Sequence, residues 1–180
     1  MALEAILKLH RLVSGLKRLR RSGWVERGVE DPETVAEHSY AVALLSMLLA
    51  ELRGLDPLEA ARIALIHDLP EAVLGDLTPR EKRLVEGLGE RELEVVEDLA
   101  KSMPEEVGSR YLEAWRSYSA GGDPVARLVR AVDKLEMGLQ ALEYAKAGCA
   151  EALEIYRSAL EQIEDRELRR ILEEAGRGLA

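Results

Sequence analysis

Val129-Arg130-Ala131-Val132-Asp133-Lys134-Leu135 decides the fold of this chain. With its flanks, the large apolar residues are Leu128, Val132, Leu135, Leu139 and Leu142, spaced four, three, four and three apart. That is the period of a helix with one face against a core. Working outward, Val35, His38, Val42, Leu45 and Leu49 repeat the pattern, and nothing alternates with period two over a strand's length. Proline supplies the punctuation. Five of the six prolines stand where a helix begins, in Asp31-Pro32, Asp56-Pro57, Thr78-Pro79, Met103-Pro104 and Asp123-Pro124. Proline at a first helical position gives up no needed hydrogen bond, and a preceding Asp or Thr is a natural cap. The spacing predicts helices over 3–20, 33–53, 57–68, 79–101, 104–118, 124–147 and 150–175. The fourth should break near Gly87 and Gly89, the last near Glu164-Asp165, and segments 21–31 and 69–78 read as non-helical connections. The expected fold class is all-α, one domain over residues 1–180 with six or seven helices.

Composition narrows the partners. A chain of 180 residues and 20.0 kDa fits one compact domain, and its core should be aliphatic, with 31 leucines and no Phe. Basic residues number 25 against 34 acidic, a net charge of -9, which argues against binding duplex nucleic acid through its phosphates. The single Cys149 excludes an internal disulfide framework and a cysteine-rich zinc module. Fully apolar runs are only a few residues long and Glu4, Lys8 and His10 interrupt the N-terminus, so neither a signal peptide nor a membrane span is expected. The expected location is cytoplasmic. Asn is absent and Arg outnumbers Lys by 19 to 6, a bias reported for heat-adapted proteins and equally produced by a GC-rich genome.

Three histidines make each easy to weigh. His67-Asp68 ends an apolar run through Ile63, Leu65 and Ile66, His38 sits on the apolar stripe of the 33–53 helix, and Asp133 lies inside the apolar helix first quoted. A lone histidine on such a face is commonly a hydrogen-bonded core residue, and Asp133 alone could pair with Arg130 or Lys134. The joint pattern says more: three separate helices each aim metal-capable groups inward. Two imidazoles and two carboxylates form an N₂O₂ set suited to one divalent transition ion, with Mn, Co, Fe, Ni or Zn all chemically reasonable. Such an ion keeps positions for water and a substrate oxygen. Elsewhere, Lys17-Arg18-Leu-Arg20-Arg21-Ser-Gly-Trp24-Val-Glu-Arg27 reverses the chain's net sign locally. Arginine grips phosphate through a planar fork of donors, and Trp24 offers a flat face for a sugar or base.

His38, His67-Asp68 and Asp133 together resemble the motif of the HD-domain metal-dependent phosphohydrolases. Arg21-Ser-Gly-Trp24-Val, Glu33-Thr-Val-Ala-Glu37-His38-Ser, His67-Asp-Leu-Pro-Glu71, Gly75-Asp76 and Val132-Asp133-Lys-Leu-Glu136, with Gln140 and Glu143-Tyr144, are similar to the 5'-deoxynucleotidase branch. These motifs run from about residue 16 to 146, and 147–180 is expected to supply C-terminal helices. The resemblance implies an HD-domain helical bundle with a mononuclear metal site held by His38, His67, Asp68 and Asp133. It implies Glu71 as the catalytic glutamate and Asp76 as a second active-site carboxylate. Read without the family, Glu71 is equally a capping carboxylate or surface ion pair, and Asp76 a cap for the helix after Thr78-Pro79. The family also places an arginine and a tryptophan against the nucleotide phosphate and sugar. In the bacterial enzymes those two are adjacent, whereas Ser22-Gly23 separates Arg21 from Trp24, leaving Arg20, Arg21 and Arg27 as candidates for the phosphate contact. Lys134 and Glu136 read as local ion pairs; His10 and Cys149 lack partners at metal or nucleophile spacing.

The implied activity is hydrolysis of deoxynucleoside 5'-monophosphates, with a small-molecule nucleotide as substrate and a homodimer as the assembly. Tyr111, Trp115 and Tyr118 on one helix face either a partner subunit or this chain's own core against its C-terminal helices. A pyrophosphohydrolase of the same superfamily would need more basic residues around the metal than the sequence places there. Dinuclear phosphodiesterases use further histidines, and only His10 remains. A non-catalytic helical regulatory protein keeping the metal for stability is the remaining alternative.

Overall fold

A computed structural model describes residues 2–178. The helices are α1 Ala2–Leu16, α2 Ser22–Val25, α3 Val35–Leu52, α4 Pro57–Ile66, α5 Glu71–Leu74, α6 Pro79–Lys82, α7 Leu88–Lys101, α8 Glu105–Ala120, α9 Pro124–Lys146, α10 Leu153–Gln162 and α11 Arg166–Ala175. A 3₁₀ turn at Ala150–Ala152 leads into α10. Among the described residues there is no strand, so the all-α expectation holds. Among the described residues eight helices have ten residues or more, against the six or seven expected, because the last divides at Glu164-Asp165 into α10 and α11. The break before Gly87 leaves α6 as a single turn, like α2 and α5.

The caps explain most boundaries. Asp56, Asp123 and Asp165 each accept two backbone N–H bonds at the start of α4, α9 and α11, and Thr78 and Glu81 form a capping box on α6. Asp31-Pro32 does not start a helix. α3 begins three residues later, where Thr34 accepts from Glu37 N and the Glu37 carboxylate returns to Thr34 N. That reciprocal pair satisfies two orphan donors and defines the helix end in place of the proline. α1 also stops early, at Leu16. The chain after it runs extended, with Arg21 N donating to Glu33 O and Val35 N to Leu19 O. Both expected connections hold one helical turn each, α2 and α5.

α3, α4 and α9 form the centre, with α3 packed on both others, α8 against α4 and α7, and α10 and α11 against α9. Val35, Val42, Ala50, Ile63, Ala64, Val129 and Val132 are essentially inaccessible there, and small residues let the backbones approach. Gly108 shows how close: a Cβ there would collide with Ala100 O, where α8 crosses α7. α3 is long and apolar enough to cross a membrane by length and composition. Here its inner face packs in the bundle and carries the fully buried His38.

Candidate active site

The capping box places His38 one turn into α3, fully buried and aimed between α4 and α9. His67 occupies the C-terminal cap of α4 and Asp133 the middle of α9. The ligand atoms of His38, His67 and Asp133 lie within 4.8 Å of one another. His38 Nε2 is 3.1 Å from Asp133 Oδ1 and 3.9 Å from Asp68 Oδ2. Asp68 Oδ2 is also 3.0 Å from His67 Nε2, yet out of line for a hydrogen bond. His67 Nδ1 donates to Ala64 O at 2.6 Å, which turns Nε2 toward the cluster, buried and without a hydrogen-bond partner. An unpartnered buried ring nitrogen is costly unless something binds it. The orphaned Nε2 beside a second imidazole and two carboxylates fits a divalent ion.

The electrostatics agree with a cation-seeking cluster. Burial and Arg21 oppose a charged His38, but hydrogen bonds to Asp133 and Glu136 outweigh them and push its imidazole up to about 10. Burial also opposes the charges of Asp133 and Asp68. Lys134, His38 and His67 around Asp133, and His67, Arg21 and His38 around Asp68, still hold both well below the usual carboxylate range.

Around this group opens a cleft of about 1340 Å³, lined by Arg21, Trp24, Glu71, Asp76, Lys82 and Lys134 among others. Glu71, at the first position of α5, is 6% exposed. Its Oε1 accepts from Lys82 Nζ at 3.3 Å while Oε2 has no partner. Burial first, then repulsion from Asp68 and Asp76, pushes its carboxyl up to about 8 despite Lys82 and Arg21. Gly75, at φ 87°, turns the chain out of α5 into Asp76. The Asp76 carboxylate accepts from Ser22 N and its carbonyl from Ser22 Oγ, tying this loop to α2. Thr78, not Asp76, caps α6.

Of the three candidate arginines, Arg21 alone lines the cleft. Its guanidinium lies 3.4 Å from Asp68 Oδ2; burial opposes the charge, but Asp68, Asp76, Asp133 and Glu71 hold it firmly protonated. Arg20 turns to Asp31 and Pro32 O, and Arg27 to Gly23 O and Glu154, so neither joins the site. Trp24 contributes to the wall but is 1% exposed, its Nε1 donating to Glu33 and its ring set edge-on to Tyr144. It is a fixed wall and not a mobile lid.

Three contributors were missed. Tyr118, read as part of a possible partner face, donates to Asp133 Oδ2 at 3.1 Å with its ring 5.0 Å from that of His67. Trp115 is buried and Tyr111 packs against the core, so that face belongs to this chain, against α4, α7 and α9 and not the C-terminal helices. Glu136, read as a local ion pair, is 2.6 Å from His38 Nδ1, and Glu33 stands beside it. The legible signal was the three-residue step from Asp133 to Glu136, which sets both carboxylates on one face of α9. Exposed His10 and half-buried Cys149 lie away from the cleft.

Comparison with known proteins agrees with this arrangement. Residues 13–175 match the model of the HD domain family. The human 5'-deoxynucleotidase HDDC2 is 36% identical over 141 residues, covering 78% of this chain and 69% of the relative. Its counterpart from Dictyostelium discoideum is 37% identical over 147 residues, covering 78% and 77%. A conserved hypothetical protein from Pyrococcus furiosus superposes with a TM-score of 0.80 at 38% identity, covering 95% of this chain and 99% of that one. With the family match spanning residues 13–175 and relatives of this identity, the chain is a member of the HD domain family.

Proposed function

We propose that this protein is a metal-dependent phosphomonoesterase that hydrolyses deoxynucleoside 5'-monophosphates to deoxynucleoside and phosphate. One observation carries the reading: the unpartnered His67 Nε2 shares a cleft with a protonated, inward-aimed Arg21 and a buried Glu71 whose Oε2 is free. The relatives above bear the name of the same activity. His38, His67, Asp68 and Asp133 would hold one divalent ion, of which Mn, Co, Fe, Ni and Zn all suit the donors. When bound, such an ion supplies Lewis acidity toward the phosphoryl oxygens and lowers the pKa of a water.

The protein's own groups do the rest. Arg21 neutralises and orients the phosphate, already desolvated and held by its carboxylate neighbours. As water adds to phosphorus and the bond to the 5' oxygen breaks, the water loses a proton and the 5' oxygen gains one. Glu71, one turn beyond the metal-binding pair, takes the first and returns it to the second. Asp76 orients the water and, through Ser22, fixes α2 and with it Trp24 in the cleft wall. Positioning and charge stabilisation are what phosphoryl transfer demands. The cleft wall carries further cations in Arg53, Lys82, Arg127, Arg130 and Lys134, more than the sequence suggested, so basic residues alone do not separate a monoester from a pyrophosphate. The monoester is preferred because the relatives are named 5'-deoxynucleotidases.

The homodimer belongs to the same reading, supported by the outer face of α3, where Tyr40, Leu44, Leu48 and Leu52 are each at least half exposed. Leu44→Glu with Leu48→Glu should convert a dimer to a monomer in sedimentation equilibrium. A cytoplasmic location suits the nucleotide substrate and the single free thiol. The deciding experiment is phosphate release from deoxy- and ribonucleoside 5'-monophosphates by metal-stripped protein resupplied with Mn²⁺, Co²⁺, Mg²⁺ or Zn²⁺. Metal-dependent release favouring the deoxy series and abolished by His67→Ala is expected. No release with any ion overturns the assignment.

A further inference from the structure

Glu136 is 5% exposed on α9, and among the described residues its ion-pair partner is His38. A buried carboxylate is costly unless its bonds repay it, so this one needs a reason. The reason lies in the ring geometry of His38. Nε2 faces Asp133, Asp68 and His67, while Nδ1 points the opposite way, 2.6 Å from Glu136 Oε2. That separation is a hydrogen bond. It is too short for an ion bridging two donors at about 2 Å each, so the Glu33, His38 and Glu136 group is not a second metal site. Glu33 stands behind Glu136 within the same group, and its Oε1 accepts from Trp24 Nε1 at 2.9 Å.

We propose that Glu136 is a positioning residue of the metal centre, locking His38 in the tautomer and ring orientation that present the Nε2 lone pair to the ion. A histidine that donates its second N–H to a carboxylate is both oriented and a stronger base. Trp24 and His38 are thus each held by a carboxylate, Glu33 and Glu136, and these two carboxylates lie within 4.8 Å of each other although about a hundred residues separate them in sequence. The inference rests on the metal-site reading of His38, His67, Asp68 and Asp133.

The test uses Zn²⁺, which is diamagnetic, and needs no turnover. Chelator competition gives affinity, and ¹⁵N-histidine spectra give tautomers, with exposed His10 as an internal reference among three histidines. The parent protein should show His38 protonated at Nδ1 and coordinated at Nε2. Glu136→Gln keeps an acceptor for Nδ1–H and should weaken Zn²⁺ about tenfold with the tautomer retained. Glu136→Ala should weaken it toward a hundredfold, with His38 distributed between tautomers. Zn²⁺ affinity within twofold of the parent in Glu136→Gln, with an unchanged tautomer in Glu136→Ala, overturns the proposal. If Glu136→Ala does not fold, the affinity of Glu136→Gln alone decides. A parent protein that binds no Zn²⁺ defeats the metal reading and this inference together. Binding that needs His67 and ignores Glu136 defeats this inference alone.

Discussion

Glu71 concentrates the chemistry at the scale of a single residue. Glu71→Gln keeps the shape and removes the proton, so kcat should fall about 10²–10⁴-fold while metal affinity by chelator competition stays within threefold. The same side chain leaves a mark on stability. Its carboxyl titrates near 8 in the fold, against an ordinary 4.5, because burial and the neighbouring acids disfavour its charge. The native state therefore binds the proton more tightly than the unfolded chain. Glu71's contribution is fully present below pH 4.5 and is lost as pH rises toward 8. In metal-stripped protein, denaturant midpoints should show Glu71→Gln gaining on the parent across that window and flat above it. The clustering of the candidate ligands was legible in the sequence because His, His-Asp and Asp each interrupt an apolar helical stripe. Glu136 was legible only as a carboxylate on the same face of α9 as Asp133; its partner and that of Tyr118, 98 and 15 residues away, were not, since only helix packing brings them together.

At the level of elements, the first turn of α3 links folding to the site. Thr34→Ala removes one half of the capping box and should cost about 1 kcal/mol in urea unfolding. Because that turn carries His38, metal affinity should fall as well, which an ordinary surface cap would not cause. Most helix starts were readable from Asp-Pro and Thr-Pro pairs, where cap and fixed φ act together. Pro32 misled because Thr34 and Glu37, two and five residues on, satisfy the free N–H groups better. α2 and α5 escaped for a different reason: four residues are too few to display a period, and such turns persist only because tertiary contacts hold them. These are the two turns that deliver Trp24 and Glu71.

Across the whole molecule, the candidate ligands come from α3, from the end of α4 and from α9, so a bound ion would staple the central three helices. Mn²⁺ or Zn²⁺ at a hundred times its dissociation constant should add about 2.7 kcal/mol to stability. Thermal melts should show that rise in the parent and in Glu71→Gln, and lose it in His67→Ala. The extended crossing of residues 19–21 over 33–35 has a separate consequence. Arg21 N meets Glu33 O, so the segment between them leaves and rejoins the body at one point. It carries Arg21 and Trp24 and none of the proposed metal ligands. Its ends are fixed by that crossing, and its middle is fastened too, through Arg21 to Asp68, Ser22 to Asp76 and buried Trp24 to Tyr144. A graft from a relative would have to bring those partners with it, so nucleotide selectivity and the frame around the proposed metal site must change together.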